Sequence, residues 1–175
     1  MKQKAVCIWM TGISGAGKTT IAGHLKNDIA HKLKIPIYVL DGDIIRKGLC
    51  NDLTFNKKDR LENNRRIAEV SRILVNAGVT TIVAFISPLK KSREFARNLF
   101  AQGEFFEVFI DTPLAIAEAR DVKGLYKAAR AGKIREFTGI SSPYECPDFA
   151  ECRIDTTACT PQEAAEIIFK RIYNK

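Results

Sequence analysis

At 175 residues and 19.6 kDa, 46% hydrophobic and 27% charged, the chain has the size and composition of one globular domain with a proper core. The mostly apolar stretch Val79 to Leu89 falls short of the roughly 20 apolar residues that a membrane-spanning helix needs, so no membrane partner is expected. Net charge is +8, and its distribution matters more than its size: Arg120 to Arg135 holds six basic residues against one acid, Asp121, whereas Glu145 to Glu166 holds six acids against one base, Arg153. Such local excess suits an anionic ligand. No RNP, zinc-finger or basic-zipper pattern accompanies it, so nucleic acid is not the expected partner.

The five cysteines, Cys7, Cys50, Cys146, Cys152 and Cys159, form an odd set with no C-x-x-C pair, and His24 and His31 lie far from them in sequence. Neither a zinc site nor a disulfide framework is expected, and reduced thiols point to a cytoplasmic chain. No repeat, low-complexity tract or proline-glycine linker interrupts the sequence, which is read as a single domain over residues 1–175.

The first apolar run, Ala5 to Met10, passes into a glycine-rich loop without a signal-cleavage pattern and reads as a strand. The loop is Gly12-Ile13-Ser14-Gly15-Ala16-Gly17-Lys18-Thr19, a G-x-x-x-x-G-K-[ST] match with a strand before it and a helical pattern after it. The three glycines let backbone N–H groups curl around phosphate, and the following helix adds the positive end of its dipole. Lys18 reaches the β- and γ-phosphates, and Thr19 offers a hydroxyl to Mg²⁺, whose other oxygens come from phosphate and water. The spacing G-x-x-G-x-G followed by Lys-Thr disfavours a dinucleotide loop. Ile21, Leu25, Ile29 and Leu33 then mark one face of a helix.

Pro36 to Leu40 is the second strand, and the sequence at its end, Asp41-Gly42-Asp43, separates the possible chemistries. Two carboxylates just past a central parallel strand lie near the γ-phosphate; Asp43 is the favoured base for an acceptor hydroxyl, the other acid holding metal-bound water or the loop. The alternative is a turn that caps the next helix. Without an Asn-Lys-x-Asp stretch to read guanine, a switch GTPase is less attractive than a small-molecule kinase. Arg46, Phe55, Arg60, Asn63, Arg65 and Arg66 follow, combining guanidinium forks for phosphate or sulfate with an aromatic platform for a purine. Phe55 in the core, with the arginines on an exposed helix surface, is the competing reading.

Ile67, Val70, Leu74 and Ala77 give a second helical stripe, and Val79 to Ile86 a third strand ending Phe85-Ile86-Ser87-Pro88. Phe105 to Ile110 is a fourth strand and Leu114 to Arg120 a helix behind Pro113. Residues 121–146 are basic and glycine-punctuated, as a lid that excludes water from phosphoryl transfer would be. Thr160-Pro161-Gln162-Glu163 is a capping box opening a last helix. The alternation predicts an α/β fold, a doubly wound, mainly parallel five-stranded sheet with helices on both faces and ligands at the carboxyl ends of its strands.

With these residues in view, the chain resembles the adenylylsulfate kinase family over nearly its whole length. The resemblance rests on Gly12 to Thr20, Leu40 to Arg46, Asp59 to Arg66, Ala84 to Pro88, Lys123 to Gly132 and Phe137 to Ile140. It implies transfer from MgATP to the 3′-hydroxyl of adenosine 5′-phosphosulfate, with residues 12–20, including Thr20, on ATP and Lys18 and Asp43 serving the transfer. Arg46, Phe55, Arg60, Asn63, Ile86, Ser87, Lys123 and Phe137 would then line the acceptor pocket, Phe55 and Phe137 sandwiching the adenine. It also implies a homodimer and marks Ser87 as a phosphoserine candidate, although no neighbouring histidine or lysine activates it here. Lys47, Thr54, Leu89, Ser92 and Ser141 depart from the usual family residues. Two rival readings stay open: a P-loop kinase with another acceptor, and a nucleotide-binding regulatory module without catalysis.

Overall fold

The computed structural model describes residues 3–174. The chain runs β1 (Cys7–Thr11), α1 (Lys18–Leu33), β2 (Ile37–Asp41), α2 (Gly42–Ile45), α3 (Lys57–Asn76) and β3 (Thr80–Ala84). It continues through α4 (Lys90–Asn98), β4 (Phe105–Asp111), α5 (Leu114–Arg120), α6 (Leu125–Arg130), β5 (Cys152–Asp155) and α7 (Pro161–Tyr173). The five strands form one sheet in the order β2-β3-β1-β4-β5, every pair parallel. Hydrophobic runs covered on both faces behave this way, because parallel crossovers put helices above and below the sheet.

Side chains alternate along β1 and thereby feed two cores. Ile8 and Met10 point into one with Ile82, Val108, Ile110 and Ile154, closed by Ile21, Leu25 and Ile29 of α1 and Ile168 of α7. Cys7 and Trp9 point into the other, closed by Ile67, Ala68 and Val75 of α3 and Ala96 of α4. The stripe of α1 is the one the spacing predicts; in α3 Ile67, Val70 and Leu74 face the core as predicted, joined by Ala68 and Val75, whereas Ala77 lies past the helix end and is exposed.

Several boundaries differ from the sequence reading. The third strand stops at Ala84, so Phe85 to Pro88 leave the sheet as a connecting segment. Helix α3 begins at Lys57, ahead of its apolar stripe, because Asn56 caps it by accepting the Asp59 N–H. Strand β2 is an edge strand and not a central one: only β3 pairs with it, and Tyr38 on it is 53% exposed. The fifth strand lies inside the acidic stretch, where only Ile154 of its four residues is buried, too weak a pattern to place it.

The capping box at Thr160 forms in both directions, with Glu163 N–H donating to the Thr160 hydroxyl and Thr160 N–H to the Glu163 carboxylate at 2.8 Å. It fixes the entry of α7, which buries Ala164, Ala165, Ile168, Phe169 and Ile172. Replacing Thr160 by Ala is expected to cost about 1 kcal/mol, read as a lower urea midpoint with an unchanged slope.

Candidate active site

The loop between β1 and α1 lies at the carboxyl edge of the sheet. Gly12 has no room for a side chain, since a Cβ there would sit 2.5 Å from the Ile110 carbonyl oxygen. Gly17, at φ 97°, caps α1 in the left-handed conformation that glycine adopts without strain. No side chain caps α1 and no acid occupies its first turn, so its leading N–H groups and dipole are available to an anion. Ile13 and Ala16 are buried, Ser14, Gly15 and Gly17 half-buried, and Thr19 and Thr20 exposed.

Lys18 is buried, and its Nζ donates to the carbonyls of Gly12 at 2.8 Å and Ile13 at 2.7 Å. Burial lowers its pKa to about 7, opposed first by the nearby Asp41 carboxylate; Lys123 and Asp43 also act on it, with opposite signs. Asp41 is buried as well: its Oδ2 accepts from the Thr19 hydroxyl at 2.6 Å and its Oδ1 from the Asp43 N–H at 2.9 Å. The second bond is the N-cap of α2, so the capping alternative holds for Asp41 and leaves Asp43 free of that task. The Asp43 side chain is exposed and ion-paired with Lys123 across a long sequence interval. The Thr19 hydroxyl with an Asp41 oxygen is a hard, all-oxygen donor pair of the kind that a Mg²⁺ ion shares with phosphates and water. No cluster of three or more His, Cys, Asp or Glu side chains able to hold a metal exists among the described residues.

Beyond α2, Arg46 donates to the carbonyls of Leu53 and Thr54 and lies 4.3 Å from the centre of the Phe55 ring. Phe55 is exposed, which disposes of its core reading. Arg60 donates to the Phe55 carbonyl, the Thr138 hydroxyl and the Glu136 carbonyl, tying the start of α3 to residues 136–138. Asn63 is 4% exposed, and its Oδ1 has no hydrogen-bond partner, an unmet acceptor in a place where such groups are rare. Arg65 and Arg66 are engaged elsewhere, on Glu62 and Asp52.

Phe137 is buried in the core and meets Tyr126 edge-on, ring centres 5.0 Å apart. A sandwich with Phe55 therefore requires its ring to be uncovered. Ile86 is half-buried, and its carbonyl accepts from the Gly12 N–H and, at 2.7 Å, from the Thr11 hydroxyl. Ser87 is 2% exposed at φ 42°; its hydroxyl accepts from the Trp9 indole at 3.1 Å and faces Asn64 Oδ1 at 3.5 Å.

Three participants were not legible as such. Tyr126 donates its hydroxyl to the Ser14 carbonyl at 2.8 Å, linking α6 to the loop, and Trp9 and Asn64 hold Ser87. Trp9 reads as core in any strand. The adjacent amides Asn63 and Asn64 inside a helical pattern were the one signal available, since buried amides in a helix need a specific partner.

With a folded-state pKa near 7, the free Lys18 is mostly charged at pH 6 and mostly neutral at pH 8, while a bound phosphate favours the charged form. Triphosphate binding is expected to take up as much as about one proton at pH 8 and little at pH 6. Calorimetry in buffers of different ionisation heat measures this, and Lys18→Met should abolish the difference.

No helix among the described residues is long and apolar enough to cross a membrane. The profile of the adenylylsulphate kinase family matches residues 4–155. An adenylyl-sulfate kinase of Klebsiella pneumoniae subsp. pneumoniae is 53% identical over 152 residues, covering 87% of this chain and 75% of that relative. The solved Mycobacterium tuberculosis APS kinase CysC, in complex with AMPPNP and APS, superposes with a TM-score of 0.92 at 42% identity, over 97% of this chain and 98% of that one. A hexameric APS kinase from Thiobacillus denitrificans gives 0.75 at 26% identity, over 99% of this chain and 29% of its own. The glycine-rich loop, an acid-bearing turn and Lys123 of the basic segment meet at one edge of the sheet, and with these matches the chain belongs to the adenylylsulphate kinase family.

Proposed function

We propose that this chain transfers the γ-phosphoryl group of ATP to the 3′-hydroxyl of adenosine 5′-phosphosulfate, giving ADP and 3′-phosphoadenosine 5′-phosphosulfate. The observation that carries the reading is the meeting of three segments beside Lys18: Thr19 of the loop donates to Asp41 at 2.6 Å, Asp41 accepts from the Asp43 N–H at 2.9 Å, and Asp43 is ion-paired with Lys123. A lysine that holds transferring phosphate, an acid beside it and a lid cation are the parts that phosphoryl transfer to an alcohol needs. The solved relative bound to AMPPNP and APS, alike over almost the whole chain, supports the same pair of substrates.

In this mechanism the loop N–H groups and Lys18 hold the β- and γ-phosphates and offset the charge that gathers on the transferring group. Thr19, supported by Asp41, would hold Mg²⁺, which supplies charge neutralisation between the phosphates. Asp43 accepts the proton of the 3′-hydroxyl as that oxygen bonds to phosphorus and the bond to the β-phosphate oxygen breaks. Lys123 leaves Asp43 for the acceptor's phosphosulfate, freeing the carboxylate as the acceptor arrives. Arg46, Arg60 and Asn63 orient the acceptor, with Phe55 offering a ring face to its adenine. Ile86 and Phe137 complete the pocket, and residues 121–146 act as the lid that keeps water from competing.

Transfer is direct, without a phosphoserine. The Ser87 hydroxyl is buried between Trp9 and Asn64, with no base positioned to take its proton. The reading includes one kinase domain, a homodimer on the strength of the resemblance, and a cytoplasmic setting consistent with five free cysteines. Sedimentation at micromolar concentration tests the dimer against the hexamer seen in the Thiobacillus relative.

Coupled ADP release with MgATP and adenosine 5′-phosphosulfate, run beside AMP, adenosine and cytidylate with product mass determined, is expected to show turnover selective for the phosphosulfate. Folded, ATP-binding protein without phosphosulfate-dependent turnover would overturn the assignment. Asp43→Ala should lower kcat by about 10²–10⁴-fold, whereas Ser87→Ala should retain most of it. Loss of turnover in the serine variant with both ligands still bound would count against direct transfer.

A further inference from the structure

Ser87 stands in a left-handed backbone conformation, φ 42°, which a serine keeps only where its surroundings over-determine it. Its hydroxyl is held by Trp9 and Asn64, and its carbonyl accepts from the Thr11 hydroxyl at 3.3 Å and, more closely, from a residue outside the acceptor pocket, Arg93 of α4. Arg93 is 3% exposed, and its guanidinium reaches three separate segments. Nε meets Glu107 Oε1 of β4 at 2.7 Å, Nη1 donates to the Ser87 carbonyl at 2.7 Å, and Nη2 donates to the Glu145 carbonyl at 2.6 Å. Glu145 closes the lid segment and is itself bound to the same connection, its N–H donating to Pro88 O and its carboxylate accepting from the Lys90 N–H.

A buried ion pair is a weak source of stability, because desolvation offsets much of the attraction. A guanidinium, however, can aim several donors in one fixed plane, which neither an apolar side chain nor lysine can do. We propose that Arg93 is a positioning residue for the acceptor: it sets the Ile86-Ser87-Pro88 segment and the lid's carboxyl-terminal anchor in one geometry, without touching either substrate. Glu107 supplies the buried counter-charge beside Nε, and Arg97 steadies the other Glu107 oxygen at 3.2 Å. The proposal rests on the assignment of Ile86 and Ser87 to the acceptor pocket. It adds that, beside the bonds from Thr11 and Gly12 that hold Ile86, the Ser87 end of the segment is held from its far side, where β4 and α4 meet.

The test is Arg93→Lys, which keeps a cation beside Glu107 while losing the planar fork, paired with Arg93→Met/Glu107→Leu, which removes both charges together and leaves neither unpaired. Trp9 is the chain's one tryptophan and donates to the Ser87 hydroxyl, so its fluorescence reports the segment without any turnover. In whichever variant melts like the parent chain, the KM for adenosine 5′-phosphosulfate is expected to rise about tenfold or more. The KM for MgATP should stay within about twofold, and the Trp9 emission should shift. An unchanged acceptor KM in a folded variant overturns the proposal. So does a parallel rise of both KM values that tracks a lowered melting temperature, the signature of a residue that only stabilises the fold. Should the parent chain itself show no phosphosulfate turnover, the assigned reaction fails and the emission spectra still decide: identical Trp9 spectra in parent and variants overturn the role of Arg93, and a shift upholds it.

Discussion

The site depends on one buried carboxylate. Asp41 ends β2, opposite Ala84 of β3, and divides its two oxygens between the Thr19 hydroxyl and the backbone of the turn that carries Asp43. It thereby joins the first turn of α1 to the acid turn, and it is the counter-charge that most favours the buried Lys18 ammonium. A lysine sealed among carbonyls without such a partner loses its proton still more readily, and with it the charge that phosphate recognition uses. An edge strand serves this purpose well. Its end is covered on one side only, so the turn after it opens toward a ligand while its last residue stays anchored to β3.

Residues 121–146 are attached to this frame from two directions. Tyr126 fastens α6 to the loop at Ser14, and Arg60 fastens residues 136–138 to the start of α3. Phe137, between the two attachments, packs on Tyr126, so its ring and the hydroxyl bonded to the glycine-rich loop share one contact. The glycine-rich loop and residues 136–138 are thereby connected through a few side chains. The exposed Lys123–Asp43 pair contributes less to stability, as ion pairs in water do, and for that reason can be exchanged for a ligand.

What was legible in the sequence divides along physical lines. The phosphate loop was readable because its residues answer to backbone geometry that few sequences satisfy, as the Cβ clash at Gly12 illustrates. Helices α1 and α3 were readable from stripes that end in two separate cores, and α7 from a reciprocal cap. Strand β5 was not, because an edge position buries a single side chain, and neither was the edge placement of β2, because strand order is set by pairing across the whole chain. Residue type singled out Arg46, Phe55, Arg60 and Asn63 together with Arg65 and Arg66, and the family resemblance kept the first four. Their neighbours Trp9, Asn64 and Tyr126 were hidden, since an aromatic in a strand or a helix ordinarily signals core and their function lies in one polar atom each.

The order of the strands also governs how the chain is born. Strand β1 is made first yet occupies the middle of the sheet, flanked by β3 and β4. A ribosome must deliver Thr80–Ala84 and then Phe105–Asp111 before this apolar segment has both neighbours, and α7, which covers the same core as α1, emerges last of all. Pairings so distant in sequence form slowly, and until they form, the nascent chain displays Ile8, Trp9 and Met10 to whatever is nearby. The glycine-rich loop that follows them is thus synthesised ahead of both strands that flank β1 and acquires its final shape only after they have paired.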